Sequence, residues 1–539
     1  MSRSFVGELL IFLLLIIGTL AREKSSNIST FNDGSIFHMN LSDVQATPYM
    51  KDISIAASSN VIFNITNVSS DTSFIIFQIH VYQYNVTLSY DKDYLSKVSN
   101  RSVFGSNIGL LSRQATTGTT QLFVKNDNIH VVEALIVAVL YPSQAPVPGG
   151  CNMEFNTKIA PYMHVQTRDT MVIVDVQPAS QPFNDTMRPI CEKNLVNLTM
   201  YQMFLSEQDF SDEGYFAAII KMLTVEDIKM NGHEVGSPLL STSIRRIFSA
   251  YIGVPSVYVA VATYGNYSAA YVPNFSYGCN PVTDPSSCSI LSTTSYKAVN
   301  ALCLILGLLL IYRGPGFIEI DVVMPVFFTG TVFGYAIVAN IGISLLIGLA
   351  VVVLWTIFYF CCPLIAKLAY AMTLGLFLSC VTYFHLPDTF IILQQNWVFW
   401  LLFWTLTISI SISYMICCRN FIVITSIFTS FIVVLPIDYY AGSCLKYIII
   451  NAVRRATVQD FGSAVVQHPL QTWDICLIVL WTCLAACHLC RYIFKTYRKG
   501  NEEERKPLLR FNFNVKETRP LEWKYRSFCT GFLRPNVPH

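Results

Sequence analysis

The chain has 539 residues, of which 53% are apolar and only 13% are charged, and its formal net charge at pH 7 is +2. In soluble globular domains about a quarter of the residues are charged, so this composition excludes an ordinary soluble protein. The balanced charge gives no sign of a nucleic-acid partner, and we expect none. A chain of this length accommodates about three domains.

The first 21 residues are predicted to form a cleavable signal peptide. Arg3 supplies the positive start, residues 9–17 form a short apolar stretch, and Thr19 and Ala21 are small residues before a cleavage site. An N-terminal anchor helix is the alternative, but a membrane span needs about 20 apolar residues. The mature chain would begin near residue 22.

All ten N-x-[ST] glycosylation sequons lie between residues 27 and 274. They are Asn27, Asn40, Asn64, Asn67, Asn85, Asn100, Asn184, Asn197, Asn266 and Asn274. Because such sequons are glycosylated only in the lumen of the secretory pathway, the N-terminal half is predicted to be lumenal or extracellular. The second half contains seven long apolar runs and no sequon, and it is predicted to lie in the membrane.

Residues 22–145 are predicted to form a first β-rich module. Apolar and polar residues alternate along 77–82 and 85–90, which is the pattern of strands with one buried face. Gln78 and His80 are therefore expected to face solvent, and so are Asn85, Thr87 and Ser89. An exposed Asn85 would agree with its sequon.

Residues 146–295 are predicted to form a second β-rich, sandwich-like module, which the turn-rich segment 142–150 separates from the first. Strands are expected at 171–176 and 257–263. A helix capped by Ser211 is expected between them. The apolar residues with helical spacing are Phe216, Ile219, Ile220 and Leu223.

Four cysteines lie in the lumenal half, where an oxidising compartment allows disulfides. Four cysteines permit three pairings, and the short separations in sequence favour Cys151 with Cys191 and Cys279 with Cys288. The paired C-x-x-C spacing of a zinc site is absent, and no metal or other cofactor is expected. Neither a nucleophile elbow nor a phosphate-binding glycine loop occurs, so no catalytic residue is predicted and the modules are interpreted as binding or shielding units.

Residues 296–494 are predicted to form an all-α bundle of seven transmembrane helices. The candidate spans are 299–312, 317–339, 341–360, 364–384, 397–416, 421–435 and 473–494. The first and the sixth are shorter than about 20 residues and would recruit flanking residues. The predicted fold is thus a multi-domain membrane protein, with a β-rich, sandwich-like ectodomain followed by a seven-helix bundle.

A lumenal N-terminus places the loops with Arg313, Lys367 and Arg419 in the cytosol, as the positive-inside rule requires. The cytosolic tail, 495–539, is predicted to be basic, because residues 491–539 contain twelve Lys and Arg but only five Glu. The tail could lie against anionic lipid or extend as a solvated segment. Glu504, Leu508 and Leu509 form an acidic dileucine pattern, which clathrin-adaptor-type sorting proteins recognise.

The lumenal loop 437–472 contradicts the charge rule, because it carries Lys446, Arg454 and Arg455. Its apolar residues have the spacing of an amphipathic helix lying on the lumenal membrane surface. They are Leu445, Ile448, Ile449 and Ala452. Either this helix packs over the bundle, or Arg454 and Arg455 bind an anionic headgroup or ligand at the bundle mouth.

Glu319, Asp321 and Lys367 lie in or beside the predicted spans, and ionisable residues there are functional candidates. Their positions near the cytosolic helix ends also fit headgroup contact or mutual pairing. A transporter or channel that uses these residues is the alternative function. A G-protein-coupled receptor is less favoured because the third span ends without an acidic–Arg pair, and an intramembrane hydrolase because the His and Asp residues are scattered.

Four stretches resemble the transmembrane 7 superfamily member 3 family, whose seven-helix region is shared with transmembrane protein 198. They are PGGCNMEF at 148–155, YQMFLSEQDF at 201–210, AAYVPNFSYGC at 269–279 and YIIINAVRRATVQDF at 447–461. The resemblance supplies no ligand or catalytic residue. It implies links to cell survival under stress, including endoplasmic-reticulum stress, and to regulated secretion. The related transmembrane protein 198 resembles a scaffold in Wnt-receptor signalling. This resemblance favours a role in organising partner proteins over an enzymatic role.

Together these patterns predict a non-enzymatic, glycosylated membrane protein with a lumenal N-terminus and a cytosolic C-terminus. It is expected in the secretory and endolysosomal membranes or at the plasma membrane. Membrane lipids and a lumenal or extracellular protein or lipid are its expected partners.

Overall fold

The computed structural model describes residues 29–42, 47–95, 101–113, 119–151, 161–183, 191, 196–236, 245–280, 285–288, 294–313, 318–386, 390–416, 421–468 and 470–504. The predicted signal peptide lies outside these residues, and so does the tail beyond Glu504.

The first module is a sandwich of two five-stranded sheets. Its strands are β1 (Ser29–Phe31), β2 (Ser35–Asn40), β3 (Tyr49–Ile55), β4 (Ser59–Thr66), β5 (Thr72–Val81), β6 (Val86–Ser89), β7 (Ser102–Gly105), β8 (Asn107–Arg113), β9 (Thr119–Asn126) and β10 (Val132–Pro142). The strand orders are β1-β3-β10-β5-β8 and β2-β4-β9-β6-β7. The pairs β1–β3 and β2–β4 are parallel, and the other pairs are antiparallel. Alternating apolar residues from both sheets, such as Phe63 and Phe77, form one core between them.

Strand β5 alternates as predicted, but both of its faces are buried. Phe77 and Ile79 face the partner sheet, whereas Phe74 and Ile76 belong to a second core shared with the next module. Gln78 and His80 are buried and hydrogen-bonded, so their predicted exposure was wrong. The sequence pattern identifies which side chains share a face, but not whether another module covers that face.

The same correction applies in β6. Asn85, just before the strand, is exposed as predicted. Thr87 and Ser89, however, are both buried. The Ser89 hydroxyl donates to the carbonyl oxygen of Asp91 at 2.8 Å, which satisfies it away from solvent.

The second module is also built from two sheets. Its strands are β11 (Met163–Thr167), β12 (Met171–Val176), β13 (Asn197–Phe204), β14 (His233–Val235), β15 (Arg245–Ser249), β16 (Ser256–Tyr264), β17 (Tyr267–Ala270) and β18 (Asn274–Ser276). One sheet has the order β11-β12-β15, and the other has the order β14-β13-β16-β17, with β18 also pairing with β16. Both strands that the sequence predicted here, β12 and β16, are confirmed.

Two short helices, α1 (Asp212–Ile220) and α2 (Val225–Asn231), follow β13. Ser211 caps α1 as predicted, since its Oγ accepts a hydrogen bond from the Gly214 amide at 3.0 Å. The buried face of α1 is Tyr215, Ala218 and Ile219, and Ile220 is 38% exposed. The predicted inclusion of Ile220 in the core was therefore wrong.

Disulfides join Cys151 to Cys191 and Cys279 to Cys288. This is the pairing that the separations in sequence favoured. The first bond spans 40 residues and the second spans nine.

A helical region follows the second module. Its helices are α3 (Thr294–Arg313), α4 (Ile318–Val338), α5 (Ile341–Cys361), α6 (Pro363–Phe384), α7 (Asn396–Ile416), α8 (Phe421–Ala441), α9 (Tyr447–Thr457) and α10 (Thr472–Glu504). A helix occupies each of the seven predicted spans, and α3 and α8 extend into flanking residues as expected.

Four of these helices are long and apolar enough to cross a membrane over their described residues. They are α5, α6, α7 and the part of α10 that ends at Arg491. The apolar stretches of α4 and α8 are shorter, at Val323–Val338 and Ser426–Ala441. Antiparallel neighbours α4 and α5, and α6 and α7, pack directly against each other.

Candidate functional site at the junction of ectodomain and bundle

The loop 437–472, which connects α8 to α10, packs between the helical bundle and the second module. The predicted helix is present as α9, which begins at Tyr447 rather than Leu445. It does not lie on a free surface: Leu445 and Ile448 are fully buried in a core that also contains Tyr251 of the second module and Phe377 of α6. Its packing over the bundle is confirmed, and the second module covers its other side.

Main-chain hydrogen bonds attach this loop to strand β15. Val465 lies beside Phe248 as a parallel β-bridge. The Val465 amide donates to the Ile247 carbonyl at 2.9 Å, and the Ser249 amide donates to the Val465 carbonyl at 2.9 Å. The loop thereby adds a short strand to the edge of the three-stranded sheet.

Side chains of α9 continue the attachment. The Tyr447 hydroxyl accepts from the Ile252 amide at 2.7 Å, and its ring packs edge-on against the Tyr251 ring. Asn451 is fully buried: its Oδ1 accepts from the Ser249 hydroxyl at 2.9 Å and its Nδ2 donates to the Tyr251 hydroxyl at 3.3 Å. Buried polar groups bonded on both sides of an interface fix its register.

Arg454 belongs to the same attachment. Its Nη1 donates to the Ala250 carbonyl at 2.8 Å and to the Ser249 hydroxyl at 3.2 Å, and its guanidinium lies over the Tyr447 ring. The prediction that Arg454 is free to bind an anion at the bundle mouth was therefore wrong. Its hydrogen-bonding capacity is directed at the second module.

Arg455 points in the opposite direction, toward the bundle. Its Nη2 donates to the Leu393 carbonyl at 2.6 Å, in the turn before α7. Its guanidinium carbon lies 4.1 Å from the centre of the Phe399 ring. The two adjacent arginines thus connect α9 to different parts of the molecule.

A second set of contacts surrounds the start of α10. The Gln471 side chain donates to the Leu205 carbonyl and accepts from the Glu207 amide, both at 2.6 Å. Gly442 has a positive φ of 80°, and a Cβ there would lie 2.6 Å from Nε2 of Gln208. The positive φ favours glycine at position 442, and the Gln208 side chain would have to move to admit a Cβ there.

Ionisable groups from both halves meet beside these contacts. Cys444 Sγ lies 3.7 Å from Glu207 Oε1, and the Cys444 amide donates to Asp474 Oδ1 at 2.7 Å. Asp438 accepts from the Leu445 and Lys446 amides and lies 3.8 Å from Lys446 Nζ. The cluster therefore combines three carboxyl groups with one ammonium group.

This environment raises the pKa of Glu207 to about 7, mainly because burial disfavours its charged form and also because Asp474 and Asp438 repel it; Lys446 opposes the rise. An unperturbed Glu has a pKa of about 4.5. Between these values the folded protein binds a proton that the unfolded chain does not. The stability of the junction is therefore predicted to rise as the pH falls from about 7 toward about 4.5.

Glu207, Cys444 and Asp474 also have the residue types of a metal site, and their ligand atoms lie within 4.8 Å of one another. However, both oxygens of Asp474 already accept amide hydrogen bonds, from Cys444 and Gln471. Burial raises the pKa of the Cys444 thiol well above its usual value, whereas metal binding requires the thiolate. The set is best described as a hydrogen-bonded cluster between the second module and the bundle.

The sequons differ in exposure. Five of those in the described residues are exposed: Asn40, Asn67, Asn85, Asn197 and Asn266. Asn64 is partly buried. Asn274 is only 9% exposed, and its Nδ2 donates to the Met163 carbonyl at 3.0 Å. Since a glycan would occupy that nitrogen, Asn274 does not fit its predicted role. Asn27, Asn100 and Asn184 lie outside the described residues.

The remaining predicted sites are not brought together with the junction. Lys367 is exposed near the start of α6, away from Arg455 at its other end. The side chains of Glu319, Asp321 and Glu504 are outside the described part of the chain. Leu508 and Leu509 lie outside it as well.

Glu207, Tyr251 and Asp474 were not predicted as junction residues. Glu207 lies in a polar loop that is typical of solvent exposure, and Asp474 is an acidic residue in the first turn of a helix, a common position. One usable signal was the loop 437–472 itself. Under the predicted topology its three basic residues contradict the positive-inside rule, which indicates that they make specific contacts.

Comparison with known protein families matches three regions of the chain. Residues 43–141 match the model described as TM7SF3-like, N-terminal immunoglobulin-like domain, and residues 146–282 match TM7SF3-like, second immunoglobulin-like domain. Residues 300–490 match the TM7S3/TM198-like domain. The two sandwich modules and the helical region therefore each correspond to a known domain model.

Related proteins share this arrangement over most of their length. Transmembrane 7 superfamily member 3 of Homo sapiens is 27% identical over 443 residues, which cover 78% of this chain and 77% of the relative. The Mus musculus protein of the same name is 25% identical over 445 residues, which cover 78% of each chain. The matched regions include both sandwich modules and the helical region, and the chain belongs to the transmembrane 7 superfamily member 3 family.

Proposed function

We propose that this protein is a non-enzymatic membrane glycoprotein whose immunoglobulin-like domains bind a lumenal or extracellular protein or lipid and transmit that binding to a seven-helix bundle. The observation that carries this proposal is the junction. Strand β15 pairs with Val465, and Tyr447, Asn451 and Arg454 bond to the second domain.

Such a junction is unnecessary for a domain that is only tethered to the membrane. A flexible linker leaves the orientation of an ectodomain free, whereas buried hydrogen bonds from α9 hold the second domain in one orientation. Helix α9 contacts α6 on its other side. A change in the second domain therefore has a direct route to a bundle helix.

The proposal includes the topology predicted from the sequence. The signal peptide is cleaved, the sequons face the lumen, the seven helices all span the membrane and the tail is cytosolic. The exposed sequons on both domains support this orientation. Helices α3, α4 and α8 reach a spanning length when their whole extents of 20 or 21 residues are counted.

The proposal also places the protein in the secretory and endolysosomal membranes or at the cell surface, with a role in survival under stress. Adaptor-type sorting proteins would bind the dileucine pattern at Leu508 and Leu509, and anionic lipid would contact the basic tail. Endoglycosidase H sensitivity and surface labelling of wild type and of the double variant L508A/L509A test this part. Resistant glycans and more surface protein in the variant would support sorting beyond the Golgi, and fully sensitive glycans in both would contradict it.

The coupling itself is tested in knockout cells that express the full chain. Arg454→Met removes the bonds from α9 to Ala250 and Ser249 of the second domain. Arg168→Met is the matched control, because Arg168 is an exposed arginine of the second domain itself. The readouts are lumenal partners captured by crosslinking on intact cells and survival under endoplasmic-reticulum stress.

Arg454→Met is expected to keep the captured partner, since the outer surface of the domains is unchanged, and to lose the rescue of survival. Arg168→Met is expected to keep both. Full rescue by Arg454→Met at wild-type abundance would show that the junction transmits nothing. Capture of no partner by any of the three proteins would contradict the recognition role.

A further inference from the structure

A small cavity lies where α6 ends, beside the turn before α7, and it has a volume of about 50 Å³. Both polar and apolar atoms line its walls. They include Tyr383, Leu386, Phe390, Leu393, Arg455 and Val466. The cavity is therefore bounded by α6, by the turn before α7, by α9 and by the segment that pairs with β15.

Arg455 is the charged group of this cavity. The residue is 7% exposed, yet every acceptor that it contacts is neutral: the carbonyls of Leu393 and Gln394 and the amide oxygen of Asn396. Among the described residues its buried Nε has no hydrogen-bond partner of good geometry. Within the described ranges no carboxylate is ion-paired with it.

A buried guanidinium without a counter-charge is unfavourable, because burial removes its hydration and neutral acceptors replace only part of it. A second polar atom lies in the same walls: the buried Tyr383 hydroxyl interacts with the Arg455 guanidinium, and within the described residues it has no hydrogen bond of good geometry. One anion with oxygen acceptors in the cavity would satisfy both groups.

The surroundings of the cavity favour a ligand with an apolar part. Phe390 is 54% exposed and Ile392 is 53% exposed in the turn before α7, and Trp397 at the start of α7 is 71% exposed. Exposed aromatic residues at the end of a spanning helix are typical of the lipid–water interface. The cavity therefore lies at the level of lipid headgroups, on the side of the ectodomain.

We propose that the cavity beside Arg455 binds the phosphate or carboxylate of an anionic amphiphile, with its acyl chain passing over Phe390 and Ile392 into the bilayer. The volume admits a small charged group but not a large headgroup, which points to a phosphatidic acid or a fatty acid. Arg455 bonds to the turn before α7 and Arg454 bonds to the second domain, so variants of Arg455 test this site without removing the Arg454 bonds.

The first test measures lipid retention by the purified full chain. The protein is placed in nanodiscs of phosphatidylcholine with or without phosphatidic acid, and bound lipid is counted by native mass spectrometry. Wild type is expected to retain phosphatidic acid about tenfold over phosphatidylcholine, the effect of one charge-assisted hydrogen bond. Arg455→Gln is expected to abolish this preference, and Lys367→Gln, at the other end of α6, is the matched charge control and should keep it.

A second variant separates ligand binding from a structural role of Arg455. Ala464→Leu places extra volume in the cavity wall and leaves Arg455 and its carbonyl contacts unchanged. If Arg455 has only the structural role of capping the turn before α7, Ala464→Leu should retain the same lipid as wild type. Loss of the phosphatidic-acid preference in Ala464→Leu is the result expected from an occupied cavity.

A third arm identifies the source of the anion. Hydrogen exchange of the segments 390–397 and 453–466 is compared in phosphatidylcholine nanodiscs with millimolar inorganic phosphate and in nanodiscs with phosphatidic acid. Protection by phosphatidic acid alone supports the lipid ligand, whereas equal protection by free phosphate supports an anion site and contradicts the acyl-chain part. No protection by either, together with equal lipid retention in wild type and both cavity variants, would overturn the proposal.

Discussion

Replacement of Arg454 by Met is the most direct test of the junction. Methionine keeps much of the apolar stem of the side chain and removes its donors to the Ala250 carbonyl and the Ser249 hydroxyl. Both acceptors are buried. The Ala250 carbonyl is therefore left without this partner in an interior that water does not readily reach.

The expected cost follows from the kind of bond that is lost. A hydrogen bond from a charged donor contributes about 1.5–3 kcal/mol, and an abandoned buried acceptor adds to the loss. We expect Arg454→Met to weaken the attachment of the loop to the second domain by about 3 kcal/mol. At about 1.4 kcal/mol for each factor of ten, local opening should become about 100-fold more frequent.

Hydrogen exchange of the full chain in nanodiscs measures this opening. The reporter amides are those of Ser249, Ile252 and Val465, because each donates across the junction. Their exchange should accelerate about 100-fold, while amides shared by β5 and β10 in the first domain should be unaffected. Unchanged reporter amides, or equal acceleration in the first domain and in the Arg168→Met control, would refute the assigned role of Arg454.

Three further predictions concern other parts of the molecule. After correction for the intrinsic pH dependence of amide exchange, the wild-type junction amides should be more strongly protected at pH 5.5 than at pH 7.5, and Glu207→Gln should remove this difference because Glu207 takes up its proton near pH 7 in the folded protein. Replacement of Cys151 and Cys191 by Ala should lower the unfolding free energy by about 4 kcal/mol, since their bond closes a 40-residue loop, and denaturant titration without reductant measures it. Asn85→Gln should increase gel mobility by one glycan, and Asn274→Gln should not, because Asn85 is exposed whereas Asn274 is buried.

Local regularities of the sequence predicted most of the elements of this fold. Alternation located strands such as β12 and β16, apolar runs located the long helices, and helical spacing located α9. Each of these patterns depends on neighbours within a few residues of the same segment. The pairing of the disulfides was favoured for a similar reason, because the partners are close in sequence.

The candidate site could not be predicted in this way, because its residues come from distant segments. Glu207 and Cys444 are 237 residues apart, and Ser249 and Asn451 are 202 apart. Their proximity depends on how the second domain packs on the bundle, which no local period encodes. The burial of Gln78 and His80 was missed for the same reason, since the packing of the second domain covers their face of β5.

The length of α10 has a consequence for the end of this helix that lies away from the junction. Its 33 residues extend about 50 Å, whereas the hydrocarbon core of a bilayer is about 30 Å thick. Because the helix begins at the junction with the second domain, its final turns project well past the opposite membrane surface. Under the topology proposed above, α10 carries the start of the cytosolic tail beyond the hydrocarbon core of the bilayer.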